Sequence, residues 1–245
     1  MTVSFLLIAV FVALGGFVQG TVGFAFGMVV MSLFPLVIAA QVAVPLAVTC
    51  ALPIVLMLLW LHRKSVRLAD VWPLWIGTVA GIPVGAYLLQ SLPADLMGRL
   101  IGGLIVLTAI YMLVQRTVAG RRIHLAWKCL AGVAAGALSA AFAVGGPPVI
   151  FCMLAHGWSK DRFKGNFQLY VVGSNMVLLP YYRFGPTGGA PLLTNEILHA
   201  AACLMPVALV ATLLGSLLYR RISQSLFRRL VLGTLALLGA LLIAR

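Results

Sequence analysis

VSFLLIAVFVALGGFVQGTVGFAFGMVVMSLFP, residues 3–35, contains no charged side chain. A helix needs about 20 apolar residues to cross the ~30 Å hydrocarbon layer. As one continuous helix this stretch would run to roughly 45–50 Å, at about 1.5 Å per residue. It is interrupted at Gly15, Gly16, Gly20, Gly23 and Gly27, and glycine is a poor helix former. The stretch therefore reads as two helical pieces, a hairpin or a broken helix. A second over-long stretch, Leu125–Ala155, has the same character, with Gly132, Gly136, Gly145 and Gly146 as its interruptions.

Outside these stretches the apolar runs are of single-span length: Val42–Leu61, Val71–Gln90, Leu96–Val114, Phe167–Tyr182, Ile197–Tyr219 and Leu226–Ala244. Of the 245 residues, 63% are apolar and 9% charged, against roughly 25% charged in a soluble domain. So few charges cannot cover a water-facing surface. Aqueous enzymes, disordered tails and nucleic-acid modules are excluded, despite a formal charge of +13. The chain reads as an all-α polytopic membrane protein.

The positive charge reports topology. Fourteen of the seventeen Lys and Arg fall in four windows: Arg63, Lys64 and Arg67; Arg116, Arg121, Arg122 and Lys128; Lys160, Arg162 and Lys164; Arg220, Arg221, Arg228 and Arg229. By the positive-inside rule these are cytoplasmic. The Ser91–Asp95 turn, the 183–196 loop and both termini are then outside, and each broken stretch enters and leaves on one side. The Met1–Val12 run has no basic residue before it, so it reads as a retained membrane element rather than a cleaved signal peptide.

The two broken stretches mark a duplication. Gly16, Gly20 and Phe26 match Gly132, Gly136 and Phe142 at an offset of 116 residues, while Gly85, Leu88, Leu96, Arg99 and Gly103 match Gly215, Leu218, Leu226, Arg229 and Gly233 at 130. The 14-residue difference fits an insertion in the loop Arg183-Phe-Gly-Pro-Thr-Gly-Gly-Ala-Pro191. One hairpin plus three spans gives an odd number of crossings, so the halves are expected to be two inverted repeats. Their bounds are residues 1–116 and 125–245, joined by a cytoplasmic linker, 117–124. Inverted repeats with interrupted helices are an architecture of secondary transporters, the site lying where the interruptions meet.

Two segments, Gly16-Phe-Val-Gln-Gly-Thr-Val-Gly-Phe-Ala-Phe-Gly27 and Gly132-Val-Ala-Ala-Gly136 leading to Val144-Gly-Gly-Pro-Pro148, resemble the sulfite exporter TauE/SafE family in this duplicated layout. The resemblance covers essentially the whole chain. It implies a permease of the bacterial inner membrane for small sulfur-containing or organic anions, such as sulfite, sulfonates or sulfoacetate. Export by alternating access is the leading reading; uptake of similar anions, an anion channel and a non-transporting scaffold are the alternatives.

The anion site is expected to use neutral donors. The four acids, Asp70, Asp95, Asp161 and Glu196, all lie at loop edges, so no mid-membrane carboxylate relay is available. A helix interruption frees peptide N–H groups whose dipole favours an anion. Gly145-Gly146-Pro147-Pro148 suits such a break, and Gln19-Gly20-Thr21 is its counterpart in the first half; tight packing by small residues is the other reading of both. Asn166 and Gln168 open the span after the second stretch and Gln41 the equivalent span after the first, with Asn175 further along. Substrate contact and interhelical hydrogen bonding both suit these four. The candidate substrate-binding set is thus Gln19, Gly20, Thr21, Gln41, Gly145, Gly146, Asn166, Gln168 and Asn175.

No catalytic residue, metal ligand or cofactor is expected. Cys50, Cys129, Cys152 and Cys203 lack paired ligand spacing and read as small buried hydrophobes. His156 and His199 read as interfacial. Trp60, Trp72, Trp75, Trp127 and Trp158 all flank basic windows, as an interfacial belt would. The partners implied are the anion, the lipid bilayer and a coupling ion such as the proton, with a homodimer as a further option and nucleic acid excluded.

Overall fold

Among the described residues the apolar runs form helices, several of which stop at glycine, proline or a polar turn. The computed structural model describes residues 2–93, 96–97, 99–104, 106–107, 124–154, 158–185 and 191–218. Its helices are α1 (Thr2–Val22), α2 (Phe26–Leu33), α3 (Ala40–Leu61), α4 (Leu68–Ser91), α5 (Leu125–Phe142), α6 (Gly146–Leu154), α7 (Lys160–Phe184) and α8 (Asn195–Leu218). Five are long and apolar enough to cross a membrane: α1 from Phe5, α3, α4, α5 and α8. α7 is 25 residues long, but Asp161, Arg162, Lys164, Asn166 and Gln168 crowd its first half. The Leu226–Ala244 run lies outside the described residues, as do residues 108–114 of the Leu96–Val114 run, the 117–123 part of the linker and His156.

Both over-long stretches are broken, as their glycines predict, though not at the predicted residues in the first. α1 runs through Gln19, Gly20 and Thr21 and ends at Val22; the break is Gly23-Phe24-Ala25. Gly23 and Ala25 take left-handed φ values of 88° and 91°. The helix survives Gly20 because α8 packs there and rewards a small residue. In the second stretch the break is Ala143-Val144-Gly145, with Ala143 at φ 53°. The Ala143 N–H still reaches Ser139 O at 2.9 Å, while that of Val144 turns back to Leu138 O at 3.4 Å. Alanine in this region costs about 1–2 kcal/mol, a cost met by the packing around both breaks.

Two glycine-mediated helix pairs frame the molecule. Gly77, Gly81 and Gly85 of α4 sit against the carbonyls of Cys129, Val133 and Ala137 of α5, and Gly132 and Gly136 of α5 sit against those of Leu74 and Thr78. Likewise Gly16 and Gly20 of α1 face Ala208 O and Thr212 O of α8, and Gly215 faces Phe17 O. Residue numbers rise together along both members of each pair, so each pair is parallel. Lipid provides no hydrophobic drive between helices, and close backbone approach through small residues supplies the association instead. α3 and α7 pack between these pairs. Tyr182 Oη donates to Ala140 O at 2.6 Å, and Arg183 bonds Leu193 O and Asn195 Oδ1, both at 2.9 Å, fixing the turn into α8.

Candidate functional site

The two interruptions touch. Gly27, in the first turn of α2, lies so close to the Ala143 carbonyl that a β-carbon would overlap it. Beside this contact is a cavity of about 80 Å³. At ~10–15 Å³ for each water-sized group, it has room for about five to eight of them.

Its polar lining comes from three helices. Gln19 of α1, Ser139 of α5, and Tyr170, Ser174 and Asn175 of α7 all border it. Gln19 also closes the first break: its Oε1 accepts the Phe26 N–H at 2.9 Å, and its Nε2 lies 3.4 Å from Gln168 Oε1. Gln168 in turn donates to Gly23 O. Tyr170 is fixed from both sides, its hydroxyl 2.9 Å from Thr78 Oγ1 and its carbonyl accepting from Trp75 Nε1 at 3.0 Å. Two neighbours on α7 differ: Ser174 Oγ, like the Asn175 amide, is buried without a partner. Asn175 is the nitrogen donor of the two. Its side chain is 5% exposed, and its Nδ2 has no hydrogen-bond partner, which normally costs about 1–3 kcal/mol in a buried site.

Helix ends supply further donors. In α2, Phe26 is capped by Gln19, while the N–H groups of Gly27 and Met28 precede the first intrahelical bond, from Val29 to Ala25 O. In α6, Pro147 and Pro148 carry no N–H, so that helix start offers only Gly145 and Gly146. The two ends are therefore unequal. The opposite wall is apolar: Ala47, Val48, Ala51 and Val55 of α3, with Phe167 and Val171 of α7.

Four of the nine residues expected from sequence border this cavity: Gln19, Gly145, Gly146 and Asn175. Gln168 stands one hydrogen bond behind it. Gly20 is spent on the α8 contact, and Thr21 Oγ1 bonds back to Phe17 O and Val18 O, both at 2.9 Å. Gln41 is half-buried in the first turn of α3, away from the breaks. Asn166 faces elsewhere: its Oδ1 accepts the Arg67 N–H at 2.8 Å, and its Nδ2 donates to Asp70 Oδ2 at 3.0 Å. Arg162 joins the same carboxylate oxygen through Nε at 3.1 Å and Nη2 at 2.8 Å. This cluster ties α4 to α7 outside the cavity.

Sequence reading missed Ser139, the single hydroxyl side chain of α5, which its position near Gly136 and Gly145 could have flagged. It also placed Lys164 in a loop, whereas Lys164 is 7% exposed, with Nζ 3.5 Å from Thr21 O at the end of α1. A cation suits a helix C-terminus, and the i, i+4 relation of Lys164 to Gln168 was the available signal. Trp75 packs on Gly173 and donates its Nε1–H to Tyr170 O at 3.0 Å.

The family model described as Sulfite exporter TauE/SafE matches residues 7–242. The chain belongs to the TauE/SafE family. No curated protein and no solved structure gives a significant match. TauE/SafE membership makes this a multi-pass membrane transporter of sulfur-containing anions rather than an enzyme, in keeping with its five candidate spans.

Proposed function

We propose that the cavity between the two helix breaks is the anion site of an exporter that works by alternating access. The observation that carries this reading is Asn175: a buried amide donor, bordering the cavity and left without a partner, beside two helix starts with free N–H groups. Helix ends contribute about 0.3–2 kcal/mol each toward an anion. Neutral donors of this kind offset its desolvation without the tight hold of a buried Arg, which suits repeated release. Gln19, Gly145, Gly146, Ser139 and Asn175 are the residues proposed to face the substrate, with Gln168 holding Gln19 in place.

The two parallel helix pairs support an inverted duplication with bounds 1–116 and 125–245. α1 lies on α8 and α5 lies on α4, so the first helix of each half pairs with a later helix of the other. α4 runs with α7, since Asp70 meets Arg162 and Trp75 meets Tyr170. α8 starts beside the end of α7, where Asn195 meets Arg183, and reaches Thr212 at Gly20, next to Lys164 near the start of α7; α1 and α5 therefore point in opposite directions, as inverted halves require. The proton as coupling ion, the homodimer and the inner-membrane location belong to the same proposal.

Flux of sulfite and short sulfonates in proteoliposomes tests the site. Replacing Asn175 by Ala removes donors to a charged ligand, expected to weaken apparent affinity by about 1.5–3 kcal/mol, roughly ten- to a hundredfold. The melting temperature should hold, because no protein group loses a partner. Unchanged affinity for every anion would place the site elsewhere, and absence of saturation and counterflow would favour a channel.

A further inference from the structure

The cavity is divided in chemistry. Its donors come from α1, α2, α5, α6 and α7, and the α3 side supplies only methyl groups, from Ala47, Val48, Ala51 and Val55. Ala47, Ala51 and Val55 follow one another at four-residue spacing, so they form one face two turns long, about 12 Å at 1.5 Å per residue. The one hydroxyl side chain of α3, that of Thr49, donates to Pro45 O at 2.7 Å and does not border the cavity. On the donor side, the unpartnered Asn175 amide marks where an acidic group would sit.

A bare oxyanion suits such a site poorly. Sulfite carries its three oxygens on one side of sulfur and a lone pair on the other, so it can face the donors but offers the apolar wall no methyl or methylene to bury. An anion with one acidic head and a short apolar end suits both walls. We infer that Ala47, Ala51 and Val55 of α3 gauge the non-acidic end of the substrate, so that short-tailed organic sulfonates are preferred to sulfite itself. The inference rests on the cavity being the anion site. The cavity's room for about five to eight water-sized groups accommodates methanesulfonate, ethanesulfonate and propanesulfonate, which have five, six and seven non-hydrogen atoms.

The test is competition against counterflow of labelled ethanesulfonate in proteoliposomes, with sulfite and the methane-, ethane- and propanesulfonates as competitors. The full-length chain should prefer ethanesulfonate to sulfite. Ala51→Leu adds three heavy atoms to the wall and should weaken ethane- and propanesulfonate by roughly tenfold or more, as expected for methylene-scale misfit, while sulfite, with four non-hydrogen atoms, loses least. Val55→Ala, a milder change that opens the wall, should shift the optimum toward propanesulfonate. Preference for sulfite over every sulfonate, or equal weakening of all competitors by Ala51→Leu, overturns the gauge. So does an unshifted optimum in Val55→Ala, which covers the case in which Ala51→Leu fails to fold. Asn175→Ala separates the two levels. If it weakens all anions alike while the α3 variants do not sort by tail length, only the gauge falls; if it weakens none, the site itself falls.

Discussion

A methyl group added at Gly146 would meet Ile150 Cδ1 at 3.5 Å, Phe167 Cζ at 3.6 Å and Met28 Cε at 3.9 Å. These are ordinary contacts with side-chain ends, and Gly146 lies outside the left-handed region. Gly146→Ala therefore fits, and gains up to about 1 kcal/mol of helix propensity. Gly146→Val places three heavy atoms at the edge of a cavity holding about five to eight water-sized groups, so roughly half its room goes. At Gly27 the added methyl meets the Ala143 backbone carbonyl, which cannot swing aside, and overpacking of that kind costs about 1–3 kcal/mol. Each kcal/mol lowers the melting temperature of a chain this size by about 2–4 °C. The two glycines should thus separate function from fold. Gly146→Val should melt near the wild-type temperature and lose transport, whereas Gly27→Ala should melt roughly 2–12 °C lower. The measurements are thermal denaturation of detergent-purified protein and anion flux in proteoliposomes. Wild-type flux from Gly146→Val, or an unshifted melt for Gly27→Ala, would refute the picture of two breaks meeting at a ligand cavity.

Asn166→Ala should lower stability by about 1–3 kcal/mol by removing the acceptor of the Arg67 N–H and a donor to the Asp70 carboxylate and leave anion affinity unchanged; weaker binding with an unchanged melt would return Asn166 to the site. Asp70→Asn should cost only about 1 kcal/mol, since its pair with Arg162 is partly exposed, and a double-mutant cycle with Arg162→Ala reads the coupling. Gly81→Val should prevent stable insertion because its β-carbon would overlap Val133 O, whereas Gly103, with nothing within 4 Å of an added β-carbon, should accept Ala with no loss of yield. Single cysteines at Ser65 and Ser91 should react with impermeant reagents only from the cytoplasmic and external sides respectively, and the reverse pattern would invert the topology.

The helices over residues 42–61, 71–90 and 197–218 and both breaks were legible because they follow from run length and glycine content. The location of the first break was not. Gly20 and Gly23 look alike in sequence, and what distinguishes them is the partner: α8 covers Gly20, whereas Gly23 carries the left-handed φ that ends α1. Asn166 and Gln168 show the same limit in the site. They sit two residues apart at the start of one span, so a helix turns them about 200° from each other. Gln168 faces the break, and Asn166 faces the α3–α4 turn. Asn175, whose buried amide lacks a partner, carried no stronger sequence signal than either.

The glycine ladder of α4 explains a subtler misreading. Gly77, Gly81 and Gly85 recur every four residues, so sequence matching can set any of them against Gly215, and neighbouring leucines favoured Gly85 at an offset of 130. The contacts favour Gly81. It faces Val133 O as Gly215 faces Phe17 O. Thr78 and Thr212 each bond back one turn, to Leu74 O and Ala208 O, and each hydroxyl lies at a glycine of the partner helix, Gly132 and Gly16. Under the proposed duplication these pairs stand 134 residues apart while the first helices stand 116 apart. The second half then carries 18 additional residues rather than 14, one helical turn more than the sequence match allowed. Phe26 and Phe142, matched at 116, fall on opposite sides of their breaks, Phe26 opening α2 and Phe142 closing α5. On that proposal, equivalence between the halves is carried by backbone contacts at small residues. A threonine hydroxyl bonded one turn back beside a partner glycine identifies the register better than the aromatic residues do.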